Sequence, residues 1–124
     1  MSTTRSCYLQ LENKWGSTIK NAVLTRQSSP ETDSINEPEL ANDTKSYEIQ
    51  INFETGAAPA YDYWNVSFTD SNGDVWSTPN NDRCNISKTD EGKVVLCTID
   101  NNSDGKYLHI GVEDGCDFEI TKND

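Results

Sequence analysis

An all-β fold, an antiparallel β-sandwich of eight or nine short strands, is what this sequence predicts, and three observations carry it. Apolar residues alternate with period two through most of the chain. No long segment shows a capped apolar stripe of period 3.6. Clusters of Asn, Asp, Gly and Ser punctuate the alternating runs at intervals too short for intervening helices.

The elements follow in order. Cys7, Leu9 and Leu11 alternate with Tyr8, Gln10 and Glu12, and Asn13-Lys14-Trp15-Gly16 reads as the turn that ends this strand. From Thr18 to Arg26, Ile19 is out of phase with Ala22 and Leu24, an offset that one β-bulge absorbs. Residues 27–43 are rich in Ser, Pro and acids around isolated Ile35 and Leu40, which predicts a long surface loop, with Pro30 and Pro38 opposing regular structure. Tyr47, Ile49, Ile51 and Phe53 against Glu48, Gln50 and Asn52 form the clearest strand, broken by Gly56-Ala57-Ala58-Pro59. Trp64, Val66 and Phe68 then face inward, leaving Tyr63, Asn65 and Ser67 opposite. Asp70-Ser71-Asn72-Gly73 turns the chain into Val75-Trp76-Ser77. Later strand candidates are Cys84 to Ser87, Lys93 to Asp100, Lys106 to Val112 and Asp117 to Thr121. A chain of 124 residues is the size of a single domain, 1–124. No repeat of 20–50 residues suggests a propeller or solenoid.

Charge narrows the partners. Asp and Glu number 21 against 10 Lys and Arg, a net charge of −11, so the surface repels phosphate backbones and nucleic-acid binding is excluded. Eleven aromatic residues separate the chain from disordered acidic sequences. The apolar runs are a few residues long, as in Val94-Val95-Leu96-Cys97, far below the roughly 20 of a membrane-spanning helix, so no transmembrane segment is expected. Met1 to Cys7 has no apolar secretion signal, which makes the chain cytoplasmic as it stands and secreted if Met1 was added to a mature protein. The sequons at Asn42, Asn65, Asn85 and Asn101 matter only in the second case.

The stretch Tyr61-Asp-Tyr-Trp64-Asn-Val-Ser-Phe68-Thr-Asp-Ser-Asn-Gly73, followed by Cys84-Asn-Ile86, Asp90-Glu-Gly92-Lys-Val94-Val-Leu96 and Gly115-Cys116-Asp117, resembles a small acidic family. That family was first named for nematode proteins up-regulated in long-lived insulin-receptor mutants. The N-terminal Leu9-x-Leu11-x-Asn13 and Gly16-Ser17-Thr18-Ile19 are similar to the opening strand and turn of aegerolysin-type proteins. The resemblance implies an aegerolysin-like β-sandwich and supplies no catalytic motif. Lipid recognition by aegerolysins enters only as an analogy of fold.

Candidate chemistry is sparse. The cysteines, Cys7, Cys84, Cys97 and Cys116, contain no C-x-x-C pair, and the single histidine, His109, stands between Leu108 and Ile110, so zinc-site spacing is absent. By themselves the cysteines are as compatible with a disulfide as with buried thiols; the resemblance favours a Cys84–Cys116 bridge. Asp100-Asn101-Asn102-Ser103-Asp104-Gly105 matches the first half of a calcium loop, which offers Asp100, Asn102 and Asp104 as weak calcium ligands, although Gly111 stands where a bidentate Glu belongs. The other reading is a polar hairpin. Acids are too numerous for any pair to stand out as general acid and base, so no enzyme is expected.

The expected binding site is Tyr61, Tyr63 and Trp76, with Asp62 and Asp74 setting its polarity. Tyr61 and Tyr63 share the face opposite Trp64, and aromatic rings on a wet face suit a partner protein, a neutral lipid surface or a glycan. The function expected is a non-catalytic binding module, with a dimer through a free sheet edge as one form of partnership. A secreted carbohydrate-binding or defence protein with weak calcium binding is the alternative.

Overall fold

A computed structural model describes residues 2–28, 31–56 and 61–123. It is all-β, with two sheets packed face to face around one hydrophobic core, as the alternation predicted. The strands are β1 (Ser2–Lys14), β2 (Ile19–Gln27), β3 (Thr32–Leu40), β4 (Ile49–Gly56), β5 (Tyr63–Thr69), β6 (Val75–Ser77), β7 (Asp82–Arg83), β8 (Val94–Asn102), β9 (Gly105–Ile110), β10 (Cys116–Glu119) and β11 (Thr121–Lys122). A 3-10 turn, Lys88–Asp90, precedes β8.

One sheet runs β10-β9-β8-β1-β4; the other runs β11-β6-β5-β2-β3, with β7 also paired to β5. Among the described residues every strand pairing is antiparallel except one. β1 and β8 lie parallel, with Leu9 beside Val95 and Leu11 beside Cys97, so the expectation of a wholly antiparallel sandwich is corrected at the centre of the first sheet. The chain between those two strands builds most of the second sheet, and a connection of that length can return the chain in the same direction. The strand count is eleven among the described residues because several pieces are only two or three residues long.

The core is what strand phase dictates. Cys7, Leu9 and Leu11 of β1, Ile51 and Phe53 of β4, and Val95, Cys97 and Ile99 of β8 face Ala22 and Leu24 of β2 and Trp64, Val66 and Phe68 of β5. The bulge expected in β2 is present. Its register against β5 shifts by one residue between Lys20 and Val23, and Asn21 there adopts φ 51°.

Within residues 27–43, Thr32–Leu40 is corrected from loop to strand, and Pro30 lies outside the described residues. Ile35 and Leu40 are buried against the core, and β3 pairs with β2 from Ile19↔Leu40 to Gln27↔Thr32. Proline survives because β3 is the edge of its sheet: Pro38 falls opposite Asn21 at the gap in the ladder. Glu39 points to solvent and Asp33 turns in to pair with Arg26, whereas composition alone reads these acids as a loop. Cys84 to Ser87 is likewise corrected, since pairing ends at Arg83. Of the break expected at Gly56-Ala57-Ala58-Pro59, residues 57–59 lie outside the described residues.

The turn expected at Asn13–Gly16 starts later, since Asn13 and Lys14 still pair in β1. Asn13 is fully buried; its Nδ2 donates to Ser17 O and Leu40 O, and its Oδ1 accepts from Trp15 N–H. Trp15 then closes that end of the sandwich, edge-on to Phe68 at 4.8 Å and to Trp76 at 5.0 Å between ring centroids.

Candidate partner-binding face

Strand β5 and the two residues before it set the geometry. Trp64 faces the core and is fully buried, with its Nε1 donating to Cys84 O, so Tyr63 faces outward. Asp62 points inward again and is 3% exposed, which returns Tyr61 to the outer side. Tyr61 and Tyr63 are 40% and 36% exposed. Between them, on the same face, stands Arg83: it pairs directly with Tyr63 across the β5–β7 ladder, and its guanidinium carbon lies 4.6 Å from the Tyr61 ring centroid.

This face rests on a rigid base. Asp62 Oδ1 accepts from Arg26 Nε at 2.8 Å and Nη2 at 2.6 Å, and Oδ2 accepts from Ile86 N–H at 2.9 Å. Its own backbone N–H donates to Asn85 Oδ1, and its carbonyl accepts from Cys84 N–H. Arg26 is 1% exposed and completes its bonding on Asp33 Oδ2 and Asn52 O, both at 2.9 Å. A buried cation thus meets two carboxylates and a carbonyl, which offsets the cost of removing its charge from water. Cys84, the residue after Arg83, is bonded to Cys116, so β7 of one sheet is tied to β10 of the other. The bridge favoured by the family resemblance is therefore present.

Nearby, Asp90 anchors the 3-10 turn. Its Oδ2 accepts from Ser87 N–H and its Oδ1 accepts from Glu113 N–H, drawing the segment before Cys116 onto the turn after Cys84. Thr89 Oγ1 hydrogen-bonds Glu113 on the surface of the same contact.

The structure does not assemble the full set of residues expected from sequence. Trp76 pairs with Phe68 across β5–β6, so it turns to the inner face, packs on the core, and donates through Nε1 to Asp70 Oδ2 at 2.8 Å. It is separated from Tyr61 and Tyr63 by the thickness of the sheet. Asp62 does not set surface polarity, because both its oxygens are engaged inside. Asp74 is at the Trp76 end, 3.5 Å from Lys122 Nζ. Only the two tyrosines of the five remain together on one exposed face.

Asp100, Asn102 and Asp104 fall on the β8–β9 hairpin. Asp100 is paired with Tyr107, Asn102 pairs with Gly105 across a two-residue turn, and Asn102 Oδ1 is used by the Asp104 N–H at 2.8 Å. Gly105 supplies the φ of 137° that this tight turn needs. Among the described residues, no cluster of three His, Cys, Asp or Glu side chains surrounds a metal-sized space.

Two residues that matter were not singled out from sequence. Arg26 sits in phase with Ala22 and Leu24, and a basic residue in a core phase signals a buried ion pair. Arg83 carried no such signal, because its partner Tyr61 is 22 positions away and only the fold joins them. At the far end of the second sheet a 460 Å³ groove is lined by Thr18, Lys20, Glu39, Thr69, Asp70 and Ser71. Its lining contains no aromatic wall of the kind that stacks on a sugar.

No protein-family model matches this chain, and no curated protein matches it.

Proposed function

We propose that this protein is a non-catalytic binding module, an aegerolysin-like sandwich, that docks a partner protein through Tyr61, Tyr63 and Arg83. The carrying observation is the juxtaposition of two half-exposed tyrosine rings with an arginine stacked on one of them. Tyr and Arg are the side chains that most often dominate protein interfaces, since each offers wide apolar area with a polar end. Their entropic cost on binding is low here, because the strand pairing and the stacking already restrict them. An exposed sheet face that carries a cation between its rings suits another protein surface better than the depth of a bilayer.

The test places a photo-cross-linking residue at Gln27, which lies opposite Tyr63 on the same face, in the full chain expressed in its native cells. A discrete cross-linked protein product is expected, and it should vanish when Tyr61 and Tyr63 are both changed to Ser. Co-sedimentation with zwitterionic phosphatidylcholine vesicles, lost in the same double variant, would instead assign the face to a lipid surface. A cross-link pattern unchanged by the double variant would reject the face.

A further inference from the structure

Arg83 is an exposed cation seated over the Tyr61 ring, with no partner for its donors among the described residues. Stacking fixes its guanidinium over Tyr61, yet among the described residues no hydrogen bond or ion pair engages it. The other two arginines both end on carboxylates, Arg5 on Glu91 and Arg26 on Asp33 and Asp62. In a chain with 21 acids and 10 bases, an arginine that meets no acid is the exception, since carboxylates outnumber cations two to one. The neighbouring tyrosine hydroxyls are likewise without a partner among the described residues.

We infer that this pre-positioned fork receives a carboxylate of the partner, from an acidic side chain or the chain terminus, while the Tyr63 ring covers an adjoining apolar group. The inference rests on the binding-face reading above and specifies what that face recognises. The planar guanidinium matches a carboxylate through two parallel N–H···O bonds, and contact with the Tyr61 ring uses none of its N–H donors. Phosphate could use the same fork. However, a phosphate monoester carries close to two negative charges at neutral pH and is opposed about twice as strongly by the −11 field of the molecule. The singly charged carboxylate is the anion this surface tolerates.

The experiment uses the oxidised full-length protein and follows the Arg83 side-chain Nε–H by NMR. Phenylacetate, a carboxylate with an attached ring, is titrated against inorganic phosphate and neutral 2-phenylethanol at matched ionic strength. A saturable shift with phenylacetate is expected, with phosphate bound about tenfold more weakly and 2-phenylethanol producing none. The Tyr63 ring resonances of Arg83→Gln should no longer respond to phenylacetate, while its circular dichroism and melting temperature stay those of the parent. Equal responses to phosphate, a response to 2-phenylethanol, or no saturable response overturns the inference. In cells, a Gln27 cross-link that persists in Arg83→Gln would overturn the carboxylate while leaving the face intact. Absence of any cross-linked product would count against the face itself, and the phenylacetate titration then judges Arg83 separately.

Discussion

Arg26 occupies a position that strand phase assigns to the core, and everything around it is arranged to keep its charge there. Changing it to Met removes the cation while Asp62 and Asp33 stay behind, one of them fully enclosed. A loss of about 3–5 kcal/mol in urea denaturation is expected, the range for breaking a buried pair. Adding Asp62→Leu to Arg26→Met should recover part of that loss, because the uncompensated carboxylate goes with its partner. Recovery would show that the loss in the single variant comes from the carboxylate left uncompensated. The buried thiols behave differently. Burial pushes the Cys7 thiol up to about 12 from an ordinary 9.0, with the Arg26 guanidinium offsetting only part of the shift, and burial raises Cys97 as well. Both should resist iodoacetamide at pH 8 until urea unfolds the protein, as mass spectrometry would record. The unfolded thiol ionises near 9.0 while the folded Cys7 keeps its proton to about 12. Their contribution to stability is therefore whole below pH 9.0 and declines as pH rises through that interval.

Asp70 shows the opposite sign at the other end of the sandwich. Burial works to raise its carboxyl, but the hydrogen bonds from Trp76 Nε1 and from the backbone N–H groups of Asp74 and Asn72, with Lys122 nearby, outweigh it and hold it below the ordinary 3.8. Its stabilisation is present above the unfolded value and disappears as pH falls below it. Asp70→Asn should therefore lower the melting temperature at pH 7 and flatten the acid limb of the stability profile.

Among the elements, β7 and β10 lie in different sheets and do not pair with each other, so the Cys84–Cys116 bridge ties them together over a separation of 32 residues. Loop-closure entropy for such a span is worth about 4 kcal/mol, so reduction should lower the melting temperature by many degrees. It should also loosen the face carrying Arg83 first, because Cys84 is the next residue. Hydrogen exchange at Asp62, Cys84 and Ile86 amides would report this, and uniform loosening across both sheets would contradict it. The free edge β3 carries Asp33, Glu37, Pro38 and Glu39, charges and a missing N–H that oppose strand addition. Its Asn36 N–H is capped by the Tyr47 hydroxyl at 2.9 Å, so this edge is closed by a side chain from outside the sheet. Exchanging Glu37, Pro38 and Glu39 together for Thr should produce concentration-dependent association in size-exclusion chromatography.

At the scale of the whole molecule the net charge of −11 keeps the sandwich dispersed, and solubility should reach its minimum near the isoelectric point of 4.3. The sandwich itself was legible in the sequence, because period-two alternation with one buried face leaves few other arrangements. Trp64, Val66, Phe68, Ile51 and Phe53 are inside for that reason, and the out-of-phase Ile19 announced the β2 bulge. Local composition misled where an edge strand wears a loop's residues: Pro38 and the acids of β3 are tolerated only because no neighbour lies beyond them. Pairwise distance was beyond reach. Trp76 was placed with Tyr61 and Tyr63 by its position beside a turn, but its register against Phe68 turns it inward. Arg83 reached Tyr61 only when β7 closed on β5, and Asp62 met Arg26 across 36 positions. Alternation is a property of neighbouring residues and survives in the sequence. Which side chains converge depends on strand order and register, and these are set when the two sheets bury their apolar faces against each other.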